Sequence, residues 1–431
     1  MSLETPIKIR EFQRKLYAKA KQEPSYRFYL LYDKICREDI LEHAYALAKA
    51  NGGAPGVDQQ SFAEIEAAGR EAWLASLRKE LIEETYRPKP VRRVMIPKPG
   101  GGERPLGIPR LRDRVVQTAA KLVLEPIFEA DLEPNAYGYR PQRSAQDAVQ
   151  KVHKYLWQGY TDVVDADLSK YFDTIPHCEL MQCVARRIVD RRVLHLIKMW
   201  LRSPVAEGDG KGNWRYTASN GKGTPQGGVI SPLLANLYMN RFLKYWRLQG
   251  KGEQYRAKVV AYADDFVILC RGSAEQARDW TQEVMTRLGL TLNQQKTRIR
   301  DACTQDFDFL GYTFGPRWWW KTGRWYTAAR PSEKSLKRLR QSVHDLLKPS
   351  LCAPWEEVRD QLNAKLRGWQ NYFRYGTVAK AYQHVNLYVY DRVRHFLRRR
   401  QKATSSKGSL QFPITAVFGR LGVHRMSTVR R

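Results

Sequence analysis

Two adjacent aspartates inside an apolar stretch constrain the fold of this chain more than any other feature. Residues 259–262 and 266–269 are apolar enough to form two buried β-strands, and Asp264 and Asp265 stand between them. Ionised carboxylates in so apolar a setting are costly unless they are paired or bind a metal ion. Because successive strand residues point to opposite sides, one carboxylate is expected to bind directly and the other to assist it.

A second acidic strand end makes this pair a candidate metal site. An Asp-Asp pair at a hairpin tip is, by itself, more often only a turn. Residues 163–167, however, form another apolar strand that ends in acid at Asp167. Carboxylates on two neighbouring strands are the minimum for a pair of Mg²⁺ ions about 4 Å apart. Such a pair suits in-line phosphoryl transfer, because one ion activates the attacking hydroxyl and the other stabilises the leaving pyrophosphate.

The charge balance indicates a polyanionic partner. The formal net charge is +30, and residues 316–431 alone hold 25 Lys and Arg against 6 Asp and Glu. A basic tail could also be disordered or bind an anionic membrane. Aromatic residues interleaved with the basic ones between 355 and 375 favour nucleic acid instead.

Other function classes are disfavoured by simple patterns. No run of 18 apolar residues is present, so we expect no membrane span. The first ten residues lack an apolar signal core, which predicts a cytoplasmic protein that associates with the nucleoid when it binds DNA. The six cysteines form no Cys-x-x-Cys pair, so neither a zinc ribbon nor a disulfide partner is expected.

The pattern of apolar residues and breakers predicts an α+β fold. Helices are expected over 1–50, 61–85, 112–129, 177–201, 274–288 and beyond 330, with a further helix after the glycine-rich residues 223–228. Hairpins or strands are expected over 91–109, 161–167, 204–220, 258–262 and 266–270, with a strand pair near Lys296 and Phe309.

Three of these segments resemble the A, B and C motifs of reverse transcriptases, most closely the proteins encoded by bacterial group II introns. The motifs are Asp167 to Asp173 with Phe172 between them, Pro225-Gln226-Gly227 with residues 231–236, and residues 262–265. The resemblance runs in order from about residue 50 to 400. It includes residues 96–99, 104–109, 113–117, 138–141, 310–312 and 368–373.

The resemblance implies a right-hand polymerase architecture of fingers and palm. An α-helical thumb or maturase region and a basic C-terminal tail would follow. We expect an N-terminal extension and fingers over 1–160, interleaved with a palm over 161–320. The thumb would span 321–401 and the DNA- or RNA-binding tail 402–431. Paired cysteines typical of an HNH endonuclease are missing from the sequence, so DNA cleavage by the protein itself is not expected.

The resemblance also implies roles for individual residues around two Mg²⁺ ions, for which Mn²⁺ can substitute. Asp167 and Asp264 would be the principal ligands, Asp265 a supporting one, and the Leu168 carbonyl a third oxygen. Lys296 would assist pyrophosphate departure. In nucleotide binding, the expected residues are Lys98 and Arg104 on the triphosphate, Phe172 under the sugar where it excludes a 2′-hydroxyl, and Gln226 at the glycine-rich helix entrance.

The expected partners are group II intron RNA, an RNA template, a DNA primer or target, and dNTPs. Candidate contacts to these nucleic acids are Arg140, Trp369, Tyr372, Arg398, Arg399, Arg400 and Lys402. The sequence leaves the oligomeric state open between a monomer and a dimer.

Three alternatives to an intron-encoded polymerase and maturase remain. A splicing cofactor with a decayed polymerase site is disfavoured, because Asp167, Asp264 and Asp265 are all present. A domesticated relative, such as a retron, diversity-generating or defence enzyme, is disfavoured by the motif after Gln226 and by the maturase-like residues 368–373. A basic RNA chaperone would explain the charge but not the acids in apolar strands.

Overall fold

A computed structural model of the chain describes residues 3–97, 102–208, 213–348, 353–400 and 412–428. Its helices are α1 (Ile7–Gln22), α2 (Tyr32–Ile35), α3 (Glu38–Asn51), α4 (Phe62–Ala68), α5 (Arg70–Ile82), α6 (Leu111–Glu129), α7 (Ala145–Trp157), α8 (Tyr171–Thr174), α9 (His177–Ala185), α10 (Arg191–Arg202), α11 (Ser231–Leu248), α12 (Lys251–Gln254), α13 (Ala274–Arg287), α14 (Glu333–Leu346), α15 (Trp355–Tyr372), α16 (Ala379–Arg400) and α17 (Ile414–Phe418).

Its strands are β1 (Val91–Pro97), β2 (Glu103–Ile108), β3 (Asp162–Asp167), β4 (Val205–Gly208), β5 (Trp214–Thr217), β6 (Ala257–Tyr262), β7 (Asp265–Cys270), β8 (Arg298–Asp301), β9 (Phe307–Phe309), β10 (Tyr312–Trp319) and β11 (Arg324–Pro331). They form three sheets. The palm sheet has the order β6-β7-β3-β8, the fingers sheet β2-β1-β4-β5, and the hairpin sheet β11-β10-β9.

The palm sheet is buried on both faces. Alternate residues of β3 and β7, such as Val164 and Phe266, point into the large core shared with the helices. The intervening residues, such as Val163 and Val267, pack against Phe314 of the hairpin sheet. This arrangement corrects the expected strand pair near Lys296 and Phe309, because β8 pairs with β3 whereas β9 pairs with β10.

The fingers sheet joins two hairpins. Strands β1 and β2 are antiparallel, and β1 also runs parallel to β4, with Val91 opposite Val205. At the foot of this sheet, the backbone N–H of Gly107 donates to the carbonyl of Gln226 at 2.5 Å. The fingers sheet is therefore bonded directly to the loop that precedes α11.

The single helix expected over 177–201 is divided into α9 and α10. The side chain of Asp190 caps α10 by accepting from the backbone N–H groups of Arg192 and Val193. Its second oxygen accepts from the backbone of Leu31 and Tyr32, 2.9 and 2.8 Å away. Because these partners lie far away in sequence, local periodicity does not predict the break.

The thumb is a helical unit with its own core. Helices α14, α15 and α16 bury a cluster that includes Leu362 and Val389, and residues 412–428 pack against the same cluster through Val417. Asn363 also donates to the carbonyl of Gly422 at 2.8 Å. Part of the expected basic tail is thus folded onto the thumb helices.

The helices expected beyond residue 330 begin at Glu333. Residue 320, after which the thumb was expected to start, lies in the turn between β10 and β11. In the described part of the chain, no helix has both the length and the apolar character to cross a membrane.

Candidate active site

The register of the palm sheet places the acidic residues together. Asp167 at the end of β3 lies directly opposite Asp265 at the start of β7, and Tyr262 of β6 lies opposite Asp265 on its other side. Residues opposite one another in antiparallel strands share a face. Asp165, two positions before Asp167, therefore lies on the same face, so β3 and β7 present three carboxylates.

Sequence reasoning singled out Asp167, Asp264 and Asp265 but missed Asp165. The signal was available, because Asp165 and Asp167 are two residues apart in a strand and must face the same way. What the sequence does not provide is the pairing partner that brings Asp165 near Asp265.

The turn that carries Asp264 has an unusual backbone. Ala263, the first residue of the two-residue connection between β6 and β7, has a φ of +58°. This left-handed region is normally occupied by glycine, and non-glycine residues held there are often found at functional sites. The turn is pressed by the loop after α6: a methyl group built on Gly138 would lie 2.5 Å from the nitrogen of Ala263.

Neighbouring hydrogen bonds hold this loop against the turn. The N–H of Tyr137 donates to the carbonyl of Ala261 at 2.8 Å. The side-chain amide of Asn236 on α11 donates to the carbonyl of Gly138 at 2.6 Å. The position of Asp264 is thus set by three segments of the chain that lie far apart in sequence.

The carboxylates repel one another in a partly buried setting. Burial, followed by the negative charges of Asp165, Asp264 and Asp167 in that order of importance, raises the pKa of Asp265 to about 7. Burial likewise raises the pKa of Asp165 to about 6, against an opposing effect of Arg300. Raised carboxyl pKa values in a shared site indicate a place where a cation would be stabilising.

Asp264 and Asp265 occupy different environments. Burial also raises the pKa of Asp264, but its nearest charged influences are Arg104, which lowers the pKa, and Asp167, which raises it. Asp265 instead feels Asp165 most strongly among the carboxylates and accepts a backbone hydrogen bond from Leu310. Asp264 is therefore grouped with Asp167 and the fingers, whereas Asp265 is anchored to the segment that begins the hairpin sheet.

Lys296 lies at the same strand end. Its ammonium nitrogen is 3.2 Å from Oδ2 of Asp167. The loop that carries it is fixed to β3, because the N–H of Asn293 donates to the carbonyl of Asp167 at 2.8 Å. The structure thus brings Lys296, one of the expected site residues, to Asp167. The neighbouring Leu168 has a buried side chain and bridges to Leu292.

The donor set fits a hard divalent cation. Carboxylate and carbonyl oxygens are the ligands that Mg²⁺ prefers, and aspartates on adjacent strand ends can share ions. In the present conformation, no group of three acidic, histidine or cysteine side chains among the described residues is drawn close enough to enclose an ion. The fit therefore rests on the chemistry of the aspartates and on their shared face.

A polar chain links the fingers to the palm above these acids. Nε of Arg104 on β2 donates to Oε1 of Gln226 at 2.8 Å. The amide of Gln226 in turn lies 3.4 Å from both carboxylate oxygens of Asp173. The structure thus joins two expected nucleotide-binding residues, while Lys98 lies outside the described residues.

Phe172 packs among aromatic side chains close to the acids. Its side chain is buried, and its ring packs edge-on against Tyr171 and Tyr139, with centroids 5.7 and 6.5 Å away. Tyr139 was not singled out from the sequence. Part of its side chain is exposed. Partial burial, and after it the negative charge of Asp264, raises the pKa of Tyr139.

Arg140 does not reach the surface. Its side chain is buried, and its guanidinium donates to the Glu129 carboxylate and to the carbonyls of Glu133 and Ala136. This placement disfavours the expected nucleic-acid contact. Arg140 instead supports the loop that packs against the turn carrying Asp264.

Trp369 and Tyr372 lie where the thumb meets the palm. Oη of Tyr372 donates to the carbonyl of Leu310 at 2.8 Å, and Oη of Tyr312 donates to the carbonyl of Tyr372 at 2.9 Å. Trp369 packs on Phe373, with ring centroids 4.6 Å apart. Trp369 also packs against the core cluster that contains Phe314 of the hairpin sheet. Both side chains therefore take part in docking the thumb.

The basic end of α16 is only partly exposed. Arg399 is exposed, whereas Arg398 is half-buried. Arg400 donates to the carbonyl of Ala353 at 2.9 Å and lies over the ring of Phe396. Lys402 lies outside the described residues.

Family models match both parts of the chain. The model "Reverse transcriptase (RNA-dependent DNA polymerase)" matches residues 96–314, which include all four acids and strand β2 of the fingers sheet. The model "Group II intron, maturase-specific domain" matches residues 336–411, which begin within α14.

Several known proteins are similar to this chain. Protein YkfC of Escherichia coli is 37% identical over 341 residues, covering 70% of this chain and 87% of that protein. Group II intron-encoded protein LtrA of Lactococcus lactis is 30% identical over 349 residues, covering 66% of this chain and 56% of LtrA. A solved structure of apo telomerase from Candida tropicalis is 12% identical, with a TM-score of 0.41 over 53% of each chain. The chain therefore belongs to the reverse transcriptases, the RNA-dependent DNA polymerases, and carries a group II intron maturase-specific domain behind its palm.

Proposed function

We propose that this chain copies RNA into DNA by nucleotidyl transfer assisted by two Mg²⁺ ions, for which Mn²⁺ can substitute. One observation carries the proposal: Asp167 lies opposite Asp265 in the palm sheet, with Asp264 in the adjoining turn. Asp167, Asp264 and the carbonyl of Leu168 would bind the ions, and Asp265 would support them. When bound, the ions would activate the primer hydroxyl and neutralise the departing pyrophosphate.

Residues around the acids would orient the nucleotide. Arg104, held by Gln226 2.8 Å away, would bind the triphosphate together with Lys98. Phe172 would lie beneath the sugar and disfavour a ribonucleotide. Lys296, whose ammonium lies 3.2 Å from Asp167, would donate a proton to the leaving pyrophosphate.

The C-terminal part supports a second activity on RNA. We propose that the maturase-specific domain and the basic residues after it bind a group II intron RNA, promote its splicing and assist its return to DNA. Support comes from the match over 336–411 and from the charge of residues 316–431. The chain spans about half of LtrA, so these partners are proposed and not transferred as a whole.

Primer extension tests the polymerase proposal. An annealed DNA primer on an RNA template is incubated with dNTPs and Mg²⁺, and product is compared with that of Asp264→Ala. We expect extension that depends on Asp264 and on the metal. Product no greater than that of the variant would contradict the proposal.

RNA binding tests the maturase proposal separately. Affinity for a group II intron RNA is compared with affinity for an unrelated RNA of equal length at one stated salt concentration, because charge alone binds any RNA. Preference for the intron RNA supports the proposal, and equal affinity contradicts it. Since Asp264→Ala leaves the thumb unchanged, this variant should retain the preference.

A further inference from the structure

A hairpin with exposed tryptophans lies outside the proposed polymerase site. Trp318, Trp319, Trp320 and Trp325 belong to β10, β11 and the turn between them, and expose 53, 47, 78 and 67% of their surfaces. Four of the 12 tryptophans of the chain thus fall within eight residues. Soluble proteins rarely expose such a concentration of large apolar side chains unless it binds something.

The hairpin is basic as well as aromatic. Arg317, Lys321 and Arg324 flank the tryptophans in sequence, and the sequence contains no Asp or Glu between Phe309 and Ser332. The ammonium of Lys321 lies 5.5 Å from the centre of a tryptophan ring at the turn. An anionic ligand with apolar faces would complement this surface.

The strand register sorts these residues onto two faces. Trp318 lies opposite Trp325, and their rings pack edge-on with centroids 5.6 Å apart. Such a cross-strand pair stabilises a hairpin and needs no ligand. The other face alternates basic and aromatic side chains, with Arg317 opposite Tyr326 and Trp319 opposite Arg324. On this face the ring of Trp319 packs edge-on against Tyr326, with centroids 5.7 Å apart, and still exposes 47% of its surface to a ligand.

The hairpin also extends beyond the third strand of its sheet. Strand β9 pairs only with residues 312–314 of β10, so five residues of β10 extend beyond the third strand. At about 3.4 Å per residue, this projection is about 17 Å long. Its base adjoins Leu310, which donates a backbone hydrogen bond to Asp265. The tip lies up to about 24 Å from that base on the same spacing.

We propose that residues 316–326 form a stacking platform for unpaired bases of single-stranded RNA or DNA. Exposed aromatic rings accept stacked bases of any sequence, and interleaved arginine and lysine side chains bind the phosphates between them. A duplex would hide its base faces from Trp319 and Trp320. The platform lies outside the proposed polymerase site and needs no metal, so it goes beyond the proposed function. It rests on that function only for the class of ligand.

The test measures the affinity of the whole chain for fluorescent 20-nucleotide oligomers of deoxythymidine and of uridine, at one stated salt concentration. The variant Trp319→Ala with Trp320→Ala leaves the Trp318–Trp325 pair that holds the hairpin. We expect it to bind about tenfold or more weakly. The matched control is Trp157→Ala, since Trp157 is an exposed tryptophan on α7 outside the hairpin.

Two further variants separate stacking from other kinds of contact. Replacing Trp319 and Trp320 by phenylalanine keeps flat rings and should restore most of the affinity, whereas leucine keeps apolar bulk and should not. Arg317→Gln with Arg324→Gln should flatten the slope of log affinity against log salt, while the alanine variant leaves that slope unchanged.

Either of two results would overturn the platform. Unchanged affinity of the alanine variant means that bases do not stack there, and native-like binding by the leucine variant indicates an apolar docking surface for protein. A loss confined to one oligomer supports the platform and identifies RNA or DNA as its ligand. Single-nucleotide incorporation at saturating primer–template should persist in the tryptophan variants. Asp264→Ala should lose incorporation but keep its oligomer affinity, so the two proposals fail separately.

Discussion

Gly138 and Ala263 lie so close that no side chain fits between them. A methyl group on Gly138 would come 2.5 Å from the nitrogen of Ala263 and 2.9 Å from the carbonyl carbon of Tyr262. Both contacts are with backbone, which cannot rotate away. Gly138, in the loop after α6, therefore limits how far the turn that carries Asp264 can move toward this loop.

Gly138→Ala should accordingly lower polymerase turnover. Because the turn must shift to admit the methyl group, Asp264 would move relative to Asp167, and displacements on this scale cost about tenfold to a hundredfold in rate. Single-turnover incorporation with bound primer–template measures the effect. The control is Gly368→Ala on α15, where a methyl group meets nothing within 4 Å and should stabilise the helix by roughly 0.5–1 kcal/mol. Equal rates for both variants would contradict this role of Gly138 in positioning Asp264.

Arg104→Ala should raise the KM for dNTPs by about tenfold or more, because a charge-assisted contact to the triphosphate is lost. Gln226 would also lose its 2.8 Å contact with the fingers. Steady-state kinetics with varied dNTP on a fixed RNA template measure the change. Arg93→Ala is the matched control, since Arg93 lies on the adjacent strand β1 and pairs with Glu207 at 2.8 Å. A similar KM in both variants would exclude a specific triphosphate contact.

The free energy of unfolding of the metal-free protein should fall as the pH rises from about 4 to about 7. The pKa of Asp265 is raised to about 7, chiefly by burial and by Asp165, so the folded state holds a proton that the unfolded state has released in this range. Urea unfolding at pH 5 and at pH 7.5, without divalent metal, measures the loss. Asp265→Asn should flatten the profile. Asp279→Asn, at an exposed site on α13, should not.

Magnesium should restore stability to the native protein at pH 7.5, because it would neutralise the repelling carboxylates. The same addition should have little effect on Asp265→Asn combined with Asp264→Asn. An equal gain in both proteins would place the binding of the metal elsewhere.

Tyr372→Phe should loosen the thumb, because it removes the hydrogen bond to the carbonyl of Leu310. Loss of such a bond costs about 1 kcal/mol. We expect shorter products per binding event on a long RNA template, measured with a trap for free enzyme. Tyr388→Phe removes a bond of 3.1 Å to Arg340 inside the thumb, so it should lower stability without shortening the products. Equal product lengths would show that thumb docking does not depend on Tyr372.

Much of the catalytic sheet was predictable, because strand alternation and the acidic strand ends are local signals. The positions of Asp167, Asp264 and Asp265 followed from them. The role of Asp165 did not, since it depends on the register between β3 and β7. The hairpin of β10 and β11 was missed for another reason: three consecutive tryptophans do not alternate with polar residues, so the pattern does not indicate a strand.

Other differences arise from long-range contacts. Asp190 interrupts a segment with helical periodicity, because its carboxylate accepts a hydrogen bond from the distant backbone N–H of Leu31. Arginine is usually a surface residue, but the side chain of Arg140 is buried and donates to the carboxylate of Glu129. In both cases the partner, and not the residue type, decides the role, and a single sequence does not name the partner.

The pairing of β3 with β7 also has a consequence for how the protein folds. Asp167 and Asp265 are 98 positions apart in the chain, and the intervening segment must fold back before they meet. Contacts between such distant positions form slowly, because closing the loop costs entropy before any pairing compensates it. During refolding, helical signal should return first, and polymerase activity should recover in a later phase.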